Sequence, residues 1–141
     1  GTLEKTLRRM VDENNLSDCV TFTGLVTDEE VNSILCRSAL GIAPYFPDPY
    51  STKRGSDPTK PKLYLACGLP VIITRVPPIA LEIEENKAGL VINYSKEELA
   101  DAVLRLLSDE KIYLEYRKNA FEMARQFDWS NILNEAFSYN Y

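Results

Sequence analysis

The chain has 141 residues, of which 45% are hydrophobic, and a formal net charge of −5 from 16 basic and 21 acidic side chains. This length suits one globular domain with a hydrophobic core, and the acidic balance argues against a protein that binds nucleic acid. The sequence contains no histidine, which disfavours triad hydrolases and zinc enzymes because both depend on imidazole groups.

Three cysteines, Cys19, Cys36 and Cys67, are far apart in the sequence and form no paired motif. This spacing predicts buried free thiols in a reducing compartment. The N-terminal residues do not resemble a signal peptide, and the longest apolar run, residues 63–73, is broken by a glycine and a proline and is too short to span a bilayer. We therefore expect a soluble, cytoplasmic protein.

Helix and strand patterns alternate along the first half of the chain. Apolar residues at helical spacing predict an amphipathic helix over residues 3–16. The alternation in VTFTG predicts a strand at residues 20–24, and Thr27 followed by three acidic residues is typical of a helix start. ALGIAP at residues 39–44 is a short apolar run suited to a strand buried on both faces, and the polar residues that follow it form the longest loop.

The second half continues the same alternation. Residues 70–74 and 89–93 are predicted to be buried strands, and a helix over residues 79–86 separates them. Ser95 and Glu98 have the spacing of a capping box at the start of the next helix. The last predicted elements are helices over residues 111–127 and 129–137.

Strands that alternate with helices predict an α/β fold, namely a Rossmann-like parallel sheet flanked by helices and joined by right-handed crossovers. In such sheets a ligand binds beyond the carboxyl ends of the strands, near the point where the strand order switches. Three predicted strand exits lead to that edge: the turn Gly24-Leu25-Val26, the loop after Pro44 and residues 75–78. We expect them to converge on one crevice.

Residues 53–75 concentrate the positive charge of this acidic chain, because one acidic side chain, Asp57, stands among five basic ones. The basic residues are Lys53, Arg54, Lys60, Lys62 and Arg75. A solvated charged surface is the ordinary explanation for such a cluster. A helix whose N-terminus binds a phosphate is the second explanation.

The residues around Lys60 favour the phosphate site. Asp57 or Thr59 can cap a helix with Pro58 or Pro61 in its first turn, and Pro61 favours the later start because it disfavours helical geometry at the preceding residue. The free amides of the first turn, expected at Lys62, Leu63 and Tyr64, would then face the crevice with the positive end of the helix dipole. Together with the Lys60 ammonium group they predict a diphosphate site.

Several segments resemble one family. They are VTFTG at 20–24, ALGIAPY at 39–45, LACGLPVIIT at 65–74, EIEENKAGLVI at 82–92, and Phe127-Asp128-Trp129-Ser130. In this order they are similar to the C-terminal, donor-binding half of a GT-B glycosyltransferase of the family four, or group 1, type. The resemblance covers nearly the whole chain, so residues 1–141 are interpreted as a partial C-terminal donor-binding domain.

The resemblance implies a chemistry that needs no histidine. Similar enzymes transfer a glycosyl group from UDP- or GDP-type donors with retention at the anomeric carbon, as in polysaccharide biosynthesis. They usually have no bound metal or other cofactor, and cations and backbone amides stabilise the leaving diphosphate. The donor is thus a substrate, and no cofactor is expected.

The resemblance also implies positions for the donor. The base would stack near Gly24-Leu25-Val26, and the diphosphate would lie over the helix start around Thr59 and Lys60. PTKPKLYLACGLPVI is similar to a branch in which a lysine and a tyrosine contact the donor, which selects Lys60 and Tyr64; packing in the helix core is the alternative for Tyr64. The predicted donor site comprises Asp57, Thr59, Lys60, Lys62 and Tyr64.

Two departures from the family pattern affect this prediction. Two glutamates that many relatives carry fall here on Gly55 and Leu63, whose side chains cannot hydrogen-bond a diol, which leaves Asp57 or Asp48 as substitutes. The chain also begins where such domains leave their second strand, so two strands and the acceptor domain are expected to be missing. An unpaired sheet edge then predicts self-association or a rearranged sheet.

The expected partners are a nucleotide-sugar donor and, through the missing domain, a glycan or lipid-linked acceptor at the inner membrane face. The fragment alone is expected to be inactive. Two other interpretations stay open: a non-catalytic nucleotide-sugar-binding subunit, and an interaction domain that kept the fold without the ligand.

Overall fold

The computed structural model describes residues 1–48 and 57–138. The chain divides into two compact units, Gly1–Val31 and Asn32–Tyr141. The first unit contains helix α1 (Glu4–Glu13) and the start of α2 (Asp28–Cys36). Within this unit the Arg8 guanidinium lies 4.4 Å from the centre of the Phe22 ring and pairs with Glu4 one helical turn away, so charged side chains cover part of the loop that follows α1.

The strand predicted at residues 20–24 is wrong. The amides of Cys19 and Val20 donate to the Leu16 carbonyl and extend the turn after α1. Within the described part of the chain no strand pairs with residues 20–24. An extended segment without a ladder partner is not stable as a strand in water. Gly24 turns the chain with φ +69°.

Helix α2 begins with the cap that its sequence predicts. The Glu30 amide donates to the Thr27 hydroxyl oxygen (3.3 Å), and the Thr27 amide donates to the Glu30 carboxylate (2.8 Å). These reciprocal bonds form a capping box, which satisfies two amides that the helix itself leaves without acceptors.

The second unit is built on a parallel sheet whose strands were predicted from short apolar runs. Among the described residues the sheet contains β1 (Gly41–Ala43), β2 (Val71–Thr74) and β3 (Gly89–Ile92), in that spatial order. β2 is central and every residue of it is buried, which explains its unbroken apolar sequence. β1 pairs only with β2 in the described ranges, so its other edge carries no strand there.

Helices cover both faces of the sheet. Val71 and Ile73 of β2 point towards α3 (Thr59–Ala66) and α4 (Ile79–Glu85), whereas Ile72 packs against α5 (Lys96–Leu107). This division follows from the alternation of side chains along a strand. α6 (Glu110–Ala124) contributes to both layers. A 3₁₀ turn (Arg125–Phe127) and α7 (Trp129–Ser138) complete the described chain.

Two glycines allow close packing around the strands. A Cβ atom at Gly89 would overlap the Val71 carbonyl oxygen on the neighbouring strand, and one at Gly41 would overlap the Tyr64 ring of α3. The distances from β3 to β2 and from α3 to β1 therefore require glycine at these positions.

The cysteine prediction is wrong for two of the three thiols. All three are free, but Cys19 and Cys36 are exposed and Cys67 is half-buried. Cys19 lies in the loop after α1, and Cys36 is the last residue of α2. Of the helices in the described ranges, none combines the length and the apolar character needed to cross a bilayer.

Candidate functional site

The carboxyl edge of the sheet is where α3, α4 and α5 begin, because each helix follows a strand and returns antiparallel to it. The loop after Pro44 and residues 75–78 leave the sheet at this edge, as the sequence predicts. Residues 93–95 after β3 also reach this edge, and they are not among the three predicted strand exits. The alternation of strand and helix that predicts the other exits also predicts this one, because a helix follows β3 directly.

A threonine joins the ends of β1 and β2 at this edge. The Tyr45 amide donates to Thr74 Oγ1 (2.8 Å), and the Thr74 hydroxyl donates to the Tyr45 carbonyl oxygen (2.7 Å). The ladder of backbone bonds cannot continue at Pro44, which has no amide hydrogen. The buried Thr74 side chain, 2% exposed, bonds the Tyr45 backbone where the backbone ladder stops. These bonds fix the direction in which the chain leaves β1.

A pocket of about 220 Å³ opens at this edge on the α5 side of the sheet. Its lining includes Pro44, Thr74, Asn93, Tyr94, Lys96 and Leu99. The Phe46 and Tyr94 rings meet edge to face beside it, with centroids 5.2 Å apart. Both rings are more than half exposed. They therefore present an aromatic surface to solvent that packing of the core does not explain.

The start of α5 holds the residues after β3 in place. Ser95 caps the helix by accepting the Glu98 amide (3.3 Å), as predicted. The Glu98 carboxylate does not return to the Ser95 amide. It accepts instead from the side chain (2.9 Å) and the backbone amide (2.8 Å) of Asn93, and these hydrogen bonds lower the pKa of Glu98.

Helix α3 begins earlier than the later of the two predicted starts. Pro58 occupies the N-cap position, Thr59 is the first helical residue and Pro61 is the third. The predicted side-chain cap from Asp57 or Thr59 is therefore wrong, as is the prediction that the free amides belong to Lys62, Leu63 and Tyr64. The Pro61 ring is fully buried, so packing outweighs the preference against helix at Lys60. The amides at the start of the helix are those of Thr59 and Lys60.

Much of the local positive charge is neutralised within the described residues. Lys62 pairs with Asp57 and lies 4.5 Å from the centre of the Phe127 ring. Arg75 donates to both oxygens of Glu84 (2.8 and 2.7 Å). Lys60 is exposed, and no side chain in residues 1–48 or 57–138 pairs with it. Lys53 and Arg54 lie outside the described residues.

Tyr64 lies one helical turn after Lys60 on the same face of α3. Its ring packs on Gly41 and is half-buried against the core, so Tyr64 contributes to core packing. Burial raises the pKa of its hydroxyl. Burial, and the nearby Tyr64, raise the pKa of Tyr45. Both tyrosines pack against the same core cluster, and Tyr45 was missed because nothing in its local sequence marks it.

The other predicted residues are placed as follows. In the first unit, Gly24 and Leu25 line a pocket of about 680 Å³ with Leu7 and Phe22, and Val26 follows half-buried. Leu63 is 39% exposed on α3. Asp48 is partly buried and its amide donates to the Phe46 carbonyl (2.9 Å). Gly55 lies outside the described residues.

In the part of the chain that the structure covers, no cluster of three or more cysteine and carboxylate side chains could hold a metal ion.

The parallel sheet with helices on both faces and an open carboxyl edge is the α/β architecture of a GT-B glycosyltransferase. The model of the family described as glycosyl transferases group 1 matches residues 1–109. The chain belongs to this family.

Two individual proteins are similar to it. The D-inositol 3-phosphate glycosyltransferase of Corynebacterium glutamicum (strain R) is 35% identical over 66 residues, which are 46% of this chain and 16% of that protein. The sucrose-phosphate synthase of Thermosynechococcus elongatus has a similar structure, with a TM-score of 0.76 at 24% identity over 98% of this chain and 33% of that chain. The chain thus spans a minor part of the length of each protein.

Proposed function

We propose that this chain provides the donor-binding surface of a glycosyltransferase. The enzyme would transfer a sugar from a UDP- or GDP-type donor to a glycan or lipid-linked acceptor, with retention at the anomeric carbon, on the cytoplasmic side of a membrane. Membership of the glycosyl transferases group 1 family supports the transferase activity. The observation that carries the donor site is the exposed Lys60 ammonium group at the start of α3, on the carboxyl edge of the sheet.

The chemistry of the step suits this arrangement. When the glycosidic bond to the donor breaks, negative charge develops on the leaving diphosphate. A fixed cation and oriented amides stabilise that charge without a proton transfer, so no histidine is needed. In the proposed site, Lys60 and the amides of Thr59 and Lys60 meet the diphosphate. The Tyr64 hydroxyl, whose pKa burial raises, donates to an oxygen of the donor.

The neighbouring charges act by positioning. Lys62 is held between Asp57 and Phe127, so it orders the segment before α3 and contributes a screened positive charge. Asp57 remains mostly exposed and is the candidate acceptor for a ribose or sugar hydroxyl in place of the missing glutamates.

Calorimetric titration of UDP and GDP into the chain tests the diphosphate site. Replacing Lys60 by alanine removes one charge-assisted contact, and we expect about tenfold weaker binding of the preferred nucleotide. Lys111→Ala is the matched control, since Lys111 is also the exposed second residue of a helix. It lies at the opposite edge of the sheet, where Tyr113 donates to the Ala39 carbonyl before β1.

Equal affinities for the wild type and the Lys60→Ala variant would overturn the assignment of Lys60. Absence of heat with both nucleotides would favour the interaction-domain interpretation. For the full-length gene product, the anomeric configuration of the transferred sugar, read by NMR, tests retention. A full-length protein that binds donor but transfers nothing without a second chain would favour the non-catalytic subunit.

A further inference from the structure

Cys36 and Cys67 are distant in sequence but meet in the second unit. Cys36 ends α2, and Cys67 is the C-cap of α3. The two side chains line the same cavity, and they are close enough for Cys36 to raise the pKa of Cys67. Cys36 is exposed, Cys67 is half-buried and both are free. An accessible thiol therefore shares a cavity with a second, more protected one.

The cavity around the pair is positively charged. It has a volume of about 480 Å³ and is lined by Arg117 and Lys118 of α6 with Leu114 and Phe121, and no carboxylate is among the described residues that line it. Arg117 packs over the turn after Cys67, where its Nε would lie 3.8 Å from a Cβ atom built on Gly68. Cations that line a cavity attract anionic reagents to it. Burial raises the pKa of Cys67, and the adjoining Cys36 raises it further, so the exposed Cys36 is the thiol that reacts first.

We propose that Cys36 and Cys67 form a thiol oxidation site that closes to an intramolecular disulfide, with an anionic low-molecular-weight disulfide such as oxidised glutathione as the oxidant. The Cys36 thiolate attacks one sulfur of the oxidant, which forms a mixed disulfide and releases one glutathione thiolate. The Cys67 thiolate then attacks Cys36 Sγ and expels the second glutathione. Two protein thiols are oxidised and one glutathione disulfide is reduced to two thiols, which take up the two protons that the cysteines lose.

The bond would join the ends of α2 and α3 and enclose β1 and the whole of α3. Thirty residues lie between the two cysteines. The disulfide therefore constrains the segment that carries Lys60. This proposal depends on the thiols and their cavity alone, and it stands whether or not the chain binds a nucleotide sugar.

The test uses the whole chain with Cys19→Ser, which removes the third thiol. The protein is treated with oxidised glutathione, blocked with N-ethylmaleimide and measured by intact mass. We expect a product lighter than the reduced protein by two hydrogen atoms, with no retained glutathione and no blocked thiol. Trypsin should then release peptides 10–37 and 63–75 as one species that separates on reduction.

Single variants and unfolding provide the controls. In the same background, Cys36→Ser and Cys67→Ser each leave one thiol, so the reaction should stop at a thiol or a mixed disulfide. In urea the pair is held together only by a flexible loop at millimolar effective concentration, so closure should be at least about tenfold slower than in the folded protein. Retained glutathione on the folded two-thiol protein, or equal closure rates with and without urea, would overturn the proposal.

Discussion

Replacing Thr74 by valine tests whether the side chain of one residue completes the sheet at its carboxyl edge. Valine has nearly the same shape, so no cavity forms and the burial of the side chain is preserved. The change removes both hydrogen bonds to Tyr45 and leaves the amide and carbonyl of a partly buried residue without their partners. Each such bond contributes about 1 kcal/mol net, so the free energy of unfolding should fall by about 2 kcal/mol.

Thr74→Ser is the matched control. Serine keeps the hydroxyl group and loses one buried methyl group, which costs about 1 kcal/mol. The assay is urea unfolding of each protein followed by far-UV circular dichroism, with the midpoint compared at unchanged slope. A valine variant as stable as the wild type, or more stable than the serine variant, would refute the reasoning, because burial and not the hydrogen bonds would then dominate at this position.

Three further predictions concern the glycine contact, a carboxylate and the sheet edge. Gly89→Ala should lower the free energy of unfolding by about 3 kcal/mol or prevent folding, because its Cβ would overlap the Val71 carbonyl. Gly24→Ala, which meets open space at φ +69°, should cost only about 1 kcal/mol, and equal costs in thermal melts would contradict this account. Glu98 has a lowered pKa, so its stabilising contribution is complete above the unfolded-state pKa and is lost as the pH falls through the folded-state pKa. Glu98→Gln should therefore remove part of the loss of stability on acidification, and an unchanged pH profile of the melting temperature would count against the bonds to Asn93. We also propose that the open edge of β1 mediates self-association, which Ile42→Lys should weaken since edge lysines block strand pairing; a monomer at all concentrations in sedimentation velocity would exclude it.

The strands of the second unit could be predicted because their signals are local. ALGIAP and the apolar runs at residues 70–74 and 89–93 are too short for helices and too apolar for loops. The same reasoning failed for VTFTG, where alternation is present but the described residues contain no strand to pair with it. A strand is stable only when it pairs with another strand, and the sequence of a segment does not show whether a partner strand exists.

The details of the site depended on contacts between distant residues. The preference against helix before Pro61 was outweighed by burial of its ring, which moved the helix start to Thr59. Lys62 pairs with Asp57 and contacts the Phe127 ring, and Arg75 pairs with Glu84. Sequence spacing alone identifies neither Phe127 nor Glu84 as a partner. The sequence therefore identifies the charged segment. The structure is needed to show that Lys62 and Arg75 pair with carboxylates, whereas Lys60 pairs with no side chain among the described residues.

The position of β2 has a consequence for how this surface can change. The contacts that fix the sheet are buried residues of β2 and the close approach of Gly89, and they lie below the carboxyl edge. Phe46, Lys60 and Tyr94 at that edge are exposed, and exposed side chains away from buried contacts tolerate replacement with little loss of stability. A library randomised at these three positions should retain a large share of folded members, so selection could alter what the edge recognises without first having to rescue the scaffold.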